Sequence, residues 1–120
     1  MQIEIDWRPG ERTVSWTGPD LDVIKEYDEP PQSVSYFQDP PSIVIVESIS
    51  SSGPRNAVIY ETDGTERTRL RPPELRGAIG FDQVFQSSYG IEAVFITTQG
   101  DFHGTPDLRS GEVRDVRDWR

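Results

Sequence analysis

Proline and glycine interrupt this chain at short intervals, a spacing that leaves room for strands but little for long helices. Between the breaks, apolar residues alternate. Ile3, Ile5 and Trp7 interleave with Gln2, Glu4, Asp6 and Arg8, the period-2 pattern of a half-buried sheet. Pro9-Gly10-Glu11 reads as a turn, and Val14 and Trp16 then alternate with Thr13, Ser15 and Thr17, so the chain opens on a hairpin. Leu21 to Tyr27 fits a strand or a helical turn equally well, and Pro30-Pro31 ends it. Ser33 to Phe37 reads as a strand closed by Asp39-Pro40-Pro41. Ile43-Val44-Ile45-Val46 is apolar at every position, as in a central strand covered on both faces.

Asp63-Gly64 lies between two strand-like runs, Ala57–Tyr60 and Thr65–Arg71, a strong hairpin signal. A second hairpin is expected from Phe81–Phe85 and Ile91–Thr97. The stretch from Gly100 to Gly111 reads as a long, turn-rich tail. Beyond it Val113, Val116 and Trp119 recur every third residue, which fits a helical turn or an irregular last strand. The expected fold is mainly β: one small antiparallel meander domain over residues 1–120, with little helix and seven to nine short strands. It would form a twisted sheet, a sandwich or a partial barrel.

A chain of 120 residues fits one domain with one core. The absence of cysteine excludes disulfides, thiolate zinc sites and thiol catalysis, and favours a reducing compartment. The start at Met1 lacks the basic and apolar segments of a signal peptide, and no apolar run approaches a membrane span. A cytoplasmic location is therefore expected. The net charge of −9 argues against nucleic-acid and anionic-membrane partners and favours basic surfaces. Much of it is local: from Asp20 to Glu47 there are seven acids against Lys25 alone.

Few residues invite a catalytic reading. His103 is the one histidine, no Gly-x-Ser-x-Gly elbow marks a nucleophile, and the Walker and dinucleotide-binding glycine patterns are missing. His103 is expected in a glycine-flanked turn. Asp101, His103 and Asp107 could be assembled as metal ligands, but calcium loops need a denser ligand ladder and zinc more imidazoles or thiolates. Asp101 and Asp107 capping their own turns is the better account. Arg67, Arg69 and Arg71 project from one face of an expected strand, where they could grip anions or pair with acids on neighbouring strands; pairing is favoured. No catalytic residue, metal or cofactor is expected.

The strongest functional candidate is the acidic, aromatic segment holding Asp20, Asp22, Glu26, Tyr27, Asp28, Glu29, Tyr36, Phe37 and Asp39. Its aromatics could anchor a protein partner and its carboxylates steer a basic one. In the C-terminal half, the run from Tyr60 through Asp63-Gly64, Arg67, Arg69 and Arg71 to Pro72-Pro73 is followed by Ile79-Gly80-Phe81. Then come Gly100 to Leu108, Gly111-Glu112 and Trp119-Arg120. This order, over residues 57–120, resembles small bacterial proteins encoded beside polymorphic or contact-dependent toxins, where they are presumed immunity proteins. The resemblance implies a protein that binds a cognate toxin domain and blocks its active site or substrate access, without assigning contact residues. Many such toxins are basic nucleases, for which an acidic inhibitor would mimic phosphate. The alternative is a non-catalytic ligand- or carbohydrate-binding β module using Trp7, Trp16 or Trp119 as a stacking platform, although Trp7 and Trp16 lie on the apolar faces of their strands.

Overall fold

A computed structural model describes residues 3–18 and 21–118. Three antiparallel sheets, each a simple meander, make up the fold. The first holds β1 (Glu4–Asp6), β2 (Thr13–Thr17) and β3 (Asp22–Glu26). The second holds β4 (Ser33–Gln38), β5 (Pro41–Val46), β6 (Ala57–Tyr60) and β7 (Glu66–Arg69). The third holds β8 (Ala78–Ser87), β9 (Gly90–Thr97), β10 (Gly100–Pro106) and β11 (Val113–Asp118). A single helical turn, α1 (Ile49–Ser52), and a short 3-10 turn, Gly53–Arg55, link β5 to β6.

The four-stranded central sheet lies between the other two, and the alternation along β5 shows how. Ile43 and Ile45 pack with Val14, Trp16, Val23, Val58 and Tyr60, against the N-terminal sheet. Val44 and Val46 pack with Ala57, Ile59, Phe81, Val84 and Phe95, against the C-terminal sheet. Both faces of β5 are therefore covered, and residues 42–46 are fully buried. The unbroken apolar run at Ile43–Val46 has its cause in this three-layer arrangement.

The second and third sheets also meet at an edge. Ser35 Oγ donates to the Val84 carbonyl at 3.1 Å and Gln32 Nε2 to the Phe81 carbonyl at 3.1 Å, joining β4 to β8. Asn56, fully buried, completes the join. Its Oδ1 accepts from the Phe81 N–H at 2.7 Å, and its Nδ2 donates to the Phe81 and Glu47 carbonyls, each at 2.8 Å. Gly80 permits this approach, since a Cβ there would lie 3.1 Å from Asn56 Oδ1 and 3.0 Å from the Gly53 carbonyl.

Several expectations change. Within residues 21–27, Asp22–Glu26 settles as strand β3, because pairing Trp16 with Val23 buries both in the inner core. The tail after Gly100 is not a long loop: Gly100–Gly104 pairs with β9, and Thr105 and Pro106 pair with β11. Its glycines misled because one makes the turn, with Gly100 at φ +125°, and the other makes room. A Cβ on Gly104 would stand 2.7 Å from Val113 Cγ1 and 2.8 Å from the Arg114 carbonyl. Residues 113–118 form an edge strand rather than a helical turn, bulged against β10 between His103 and Thr105. Trp119 lies outside the described residues. The described residues contain eleven strands, more than the seven to nine expected, because β10 stands where a turn-rich tail is expected and the two open segments, β3 and β11, are both strands.

Candidate functional site

Period-2 alternation sorts the N-terminal sheet into two unlike faces. The inner face carries Val14, Trp16 and Val23, with Ile3, Ile5 and Trp7 packed beside them. The outer face carries Glu4 and Asp6 from β1, Thr13, Ser15 and Thr17 from β2, and Asp22, Ile24 and Glu26 from β3. The register aligns Glu4, Thr17 and Asp22 in one row and Asp6, Ser15 and Ile24 in the next; Thr13 faces Glu26. Four carboxylates thus surround a hydroxyl-lined centre in which Ile24 remains 67% exposed. The outward strand positions supply no base.

The acidic surface continues past Glu26. A recess of about 230 Å³ is lined by Glu26, Tyr27, Asp28, Glu29, Glu47 and serines of the α1 turn. Glu29 accepts hydrogen bonds from the hydroxyls of Ser50 at 2.6 Å, Ser51 at 2.5 Å and Ser48 at 3.3 Å. The Ser50 bond, with those from Ser51 and Ser48, holds the Glu29 carboxyl below the usual range. Glu47 is pinned by Ser52 at 2.6 Å and Arg69 at 3.3 Å. Arg12, beside Glu26 and Asp28 in the adjoining recess, bounds the acidic area.

The expected site residues are therefore divided. Glu26, Tyr27, Asp28 and Glu29 meet at the recess, and Asp22 lies on the same strand as Glu26. Asp39, at the far end of β4, faces Arg109 at 3.8 Å and belongs to a different region. Asp20 lies outside the described residues. The aromatic anchors turn inward. Phe37 is 5% exposed and sits in the core between the second and third sheets, while Tyr36 and Tyr27 pack against the inner core. Burial pushes the Tyr27 hydroxyl well up, with neighbouring Tyr60 adding to the shift. These aromatics serve the layers rather than an outer surface. Glu4, Asp6 and Ile24 were missing from the expected set, although the alternation of β1 already placed Glu4 and Asp6 on its polar side.

Other candidates resolve into structural roles. Trp16 is 1% exposed, its indole N–H donating to the Thr62 carbonyl at 2.8 Å, so it offers no stacking face. Trp7 is half-buried and bonds the Glu11 carbonyl at 2.9 Å. Arg67 pairs with Glu61 at 2.7 Å, Arg69 with Glu47 and Arg71 with Glu112 at 3.5 Å. Each arginine thus has an acid partner, but Glu61, Glu47 and Glu112 lie just outside the strands and Arg71 beyond the end of β7, so these are not the expected pairs across neighbouring strands. Asp107 Oδ1 accepts from the Arg109 and Ser110 N–H groups at 2.9 and 3.1 Å, capping its own turn as anticipated. His103 is not in a turn: it sits mid-strand in β10, Nδ1 2.8 Å from Glu92 and Nε2 accepting from Arg117 Nε at 3.1 Å. A hydrogen bond from Ser87 leads the causes that lower the Glu92 carboxyl, with His103 and Arg117 adding to it. Among the described residues no group of three His, Asp or Glu side chains is placed to hold a metal ion. No described helix is long and apolar enough to cross a membrane.

Compared with known proteins, the chain matches no family model, no curated protein and no solved structure.

Proposed function

We propose that this chain is an immunity-type protein that acts in the cytoplasm by binding a basic toxin domain and covering its active or substrate-binding site. One observation carries the reading: the outer face of the N-terminal sheet joins Glu4, Asp6, Asp22 and Glu26 to the recess of Asp28 and Glu29 in one exposed, acidic surface. A field of that sign raises the encounter rate with a cationic partner and mimics a phosphate-rich substrate. The half-chain resemblance described above points the same way. The carbohydrate-binding alternative loses support because Trp16 is enclosed.

The test is to sequence the flanking genes for a toxin and to titrate its toxin domain against this chain by calorimetry; the absence of a toxin gene would count against the reading. Binding should be one-to-one and weaken as salt is raised from low to physiological concentration. Replacing Glu4, Asp6, Asp22 and Glu26 together by Lys should abolish it while leaving the circular dichroism spectrum intact. Undiminished binding by that variant would refute the proposal.

A further inference from the structure

The hydrogen-bond phase of β3 makes the acidic surface more specific than a charge patch. At its two ends, Gly18 N–H donates to the Leu21 carbonyl at 3.0 Å and Tyr27 N–H to the Arg12 carbonyl at 2.9 Å. Antiparallel ladders alternate, so Leu21, Val23, Lys25 and Tyr27 direct their backbone groups toward β2. Asp22, Ile24 and Glu26 direct theirs the other way. In the sheet order β3 is an edge, with no further strand beside it among the described residues. The three residues that present backbone donors and acceptors at this edge therefore also present their side chains on the outer face: acid, apolar, acid.

We propose that the free edge of β3 seats an extended segment of the partner by strand addition, and that it selects the alternation basic, small, apolar, small, basic. This deepens the proposed function and rests on it, because it names how a basic partner is held. The register supplies the selectivity. In an antiparallel addition, the residues opposite Asp22, Ile24 and Glu26 share the outer face with them, so two cations and one apolar side chain fall where they are complemented. The intervening residues lie on the side of Val23 and the Asp63-Gly64 turn, where a Cβ on Gly64 would already stand 2.8 Å from Val23, so small side chains fit there. A second copy of this chain is a poor occupant. Antiparallel pairing of two β3 edges centred on Ile24 would set Asp22 against Glu26 twice, acid opposite acid.

The probe is the labelled peptide acetyl-Gly-Lys-Ser-Val-Ser-Arg-Gly-amide. Two controls accompany it: acetyl-Gly-Ser-Lys-Val-Arg-Ser-Gly-amide, of equal composition and charge but shifted alternation, and the probe with N-methylated valine. Titration into the ¹⁵N-labelled full chain should show the probe binding at least about tenfold tighter than either control. Amide exchange at Asp22, Ile24 and Glu26 should slow on binding, while Val23 and Lys25 are already protected in the free protein. Ile24→Thr should weaken the probe, and a dispersed amide spectrum shows that this variant folds. Equal binding of all three peptides, no binding, or protection confined to other strands would overturn strand addition. Toxin binding that stays salt-dependent alongside any of those results would leave the acidic-face reading standing, so the two failures are separable.

Discussion

Asn56 offers the sharpest test of the layered architecture, because one side chain bonds three backbone groups across two sheets. Asn56→Ala removes a donor and an acceptor from a site with no exposure, beside Phe81, which is also fully buried. It strands the Phe81 N–H and the Glu47 C=O, and leaves the Phe81 C=O with Gln32 Nε2 as its remaining donor. Each of the two stranded groups costs about 1–3 kcal/mol, and with partial relaxation the sum should reach about 2–4 kcal/mol. That is a large share of the ~5–15 kcal/mol available to an ordinary domain. Chemical denaturation at pH 7 measures it directly, and the melting temperature should fall by roughly 10–15 °C. Asn56→Asp separates hydrogen bonding from volume. Its carboxylate can still accept from the Phe81 N–H, but it turns an anion toward two carbonyl oxygens. The folded-state pKa of the new carboxyl is then raised above the unfolded value of about 3.9. A raised pKa contributes stability below the unfolded value and loses it as pH climbs through the folded one, so the deficit relative to wild type at equal pH should shrink from pH 7 toward pH 4. A loss below about 1 kcal/mol for Asn56→Ala, or a pH-independent deficit for Asn56→Asp, would refute the idea that this side chain joins the second and third sheets.

Other perturbations probe other layers. Trp16→Ala should cost about 3–5 kcal/mol by opening the inner core and stranding the Thr62 carbonyl, measured by urea unfolding. Iodide quenching of the wild-type protein should leave a protected, blue-shifted Trp16 component, and a fully quenchable spectrum would contradict the burial. Gly111→Ala should destabilise by more than about 1 kcal/mol, because φ is +84° there and a Cβ would lie 2.5 Å from the Arg69 carbonyl of β7; thermal melts decide it. Asp107 is held below the usual carboxylate range by the Arg109 and then the Ser110 backbone N–H. Its contribution is present above the unfolded pKa and lost as pH falls through the lower folded one, so Asp107→Asn should flatten the acid limb of the stability–pH curve. An unchanged limb would count against the turn cap.

Most of the strand plan was legible along the chain, because it depends on local chemistry. Alternation in β1 and β2 and the Asp63-Gly64 turn are properties of neighbouring residues, and the structure follows them. Gly100–Pro106 failed for an identifiable reason. Glycine has two uses, turn and close approach, and only the packing of Val113 and Arg114 over Gly104 reveals the second. The candidate site divides along the same line. The acids from Asp22 to Glu29 could be seen as dense, yet nothing in the sequence joins them to Glu4 and Asp6 or detaches Asp39.

By itself the sequence determined the antiparallel β character, the position of most turns and the need for a strand with two covered faces at Ile43–Val46. These follow from side-chain periodicity and from backbone freedom at glycine and proline. Tertiary structure alone decided that three sheets stack in layers, that Phe37 points into a core rather than at a partner, and that β3 ends a sheet with its acids and backbone groups facing outward. Those outcomes depend on which distant strands pair and in which register: the buried bonds of Asn56 to Phe81 join residues 25 apart in sequence. Long-range pairing of that kind leaves no periodic trace in the chain.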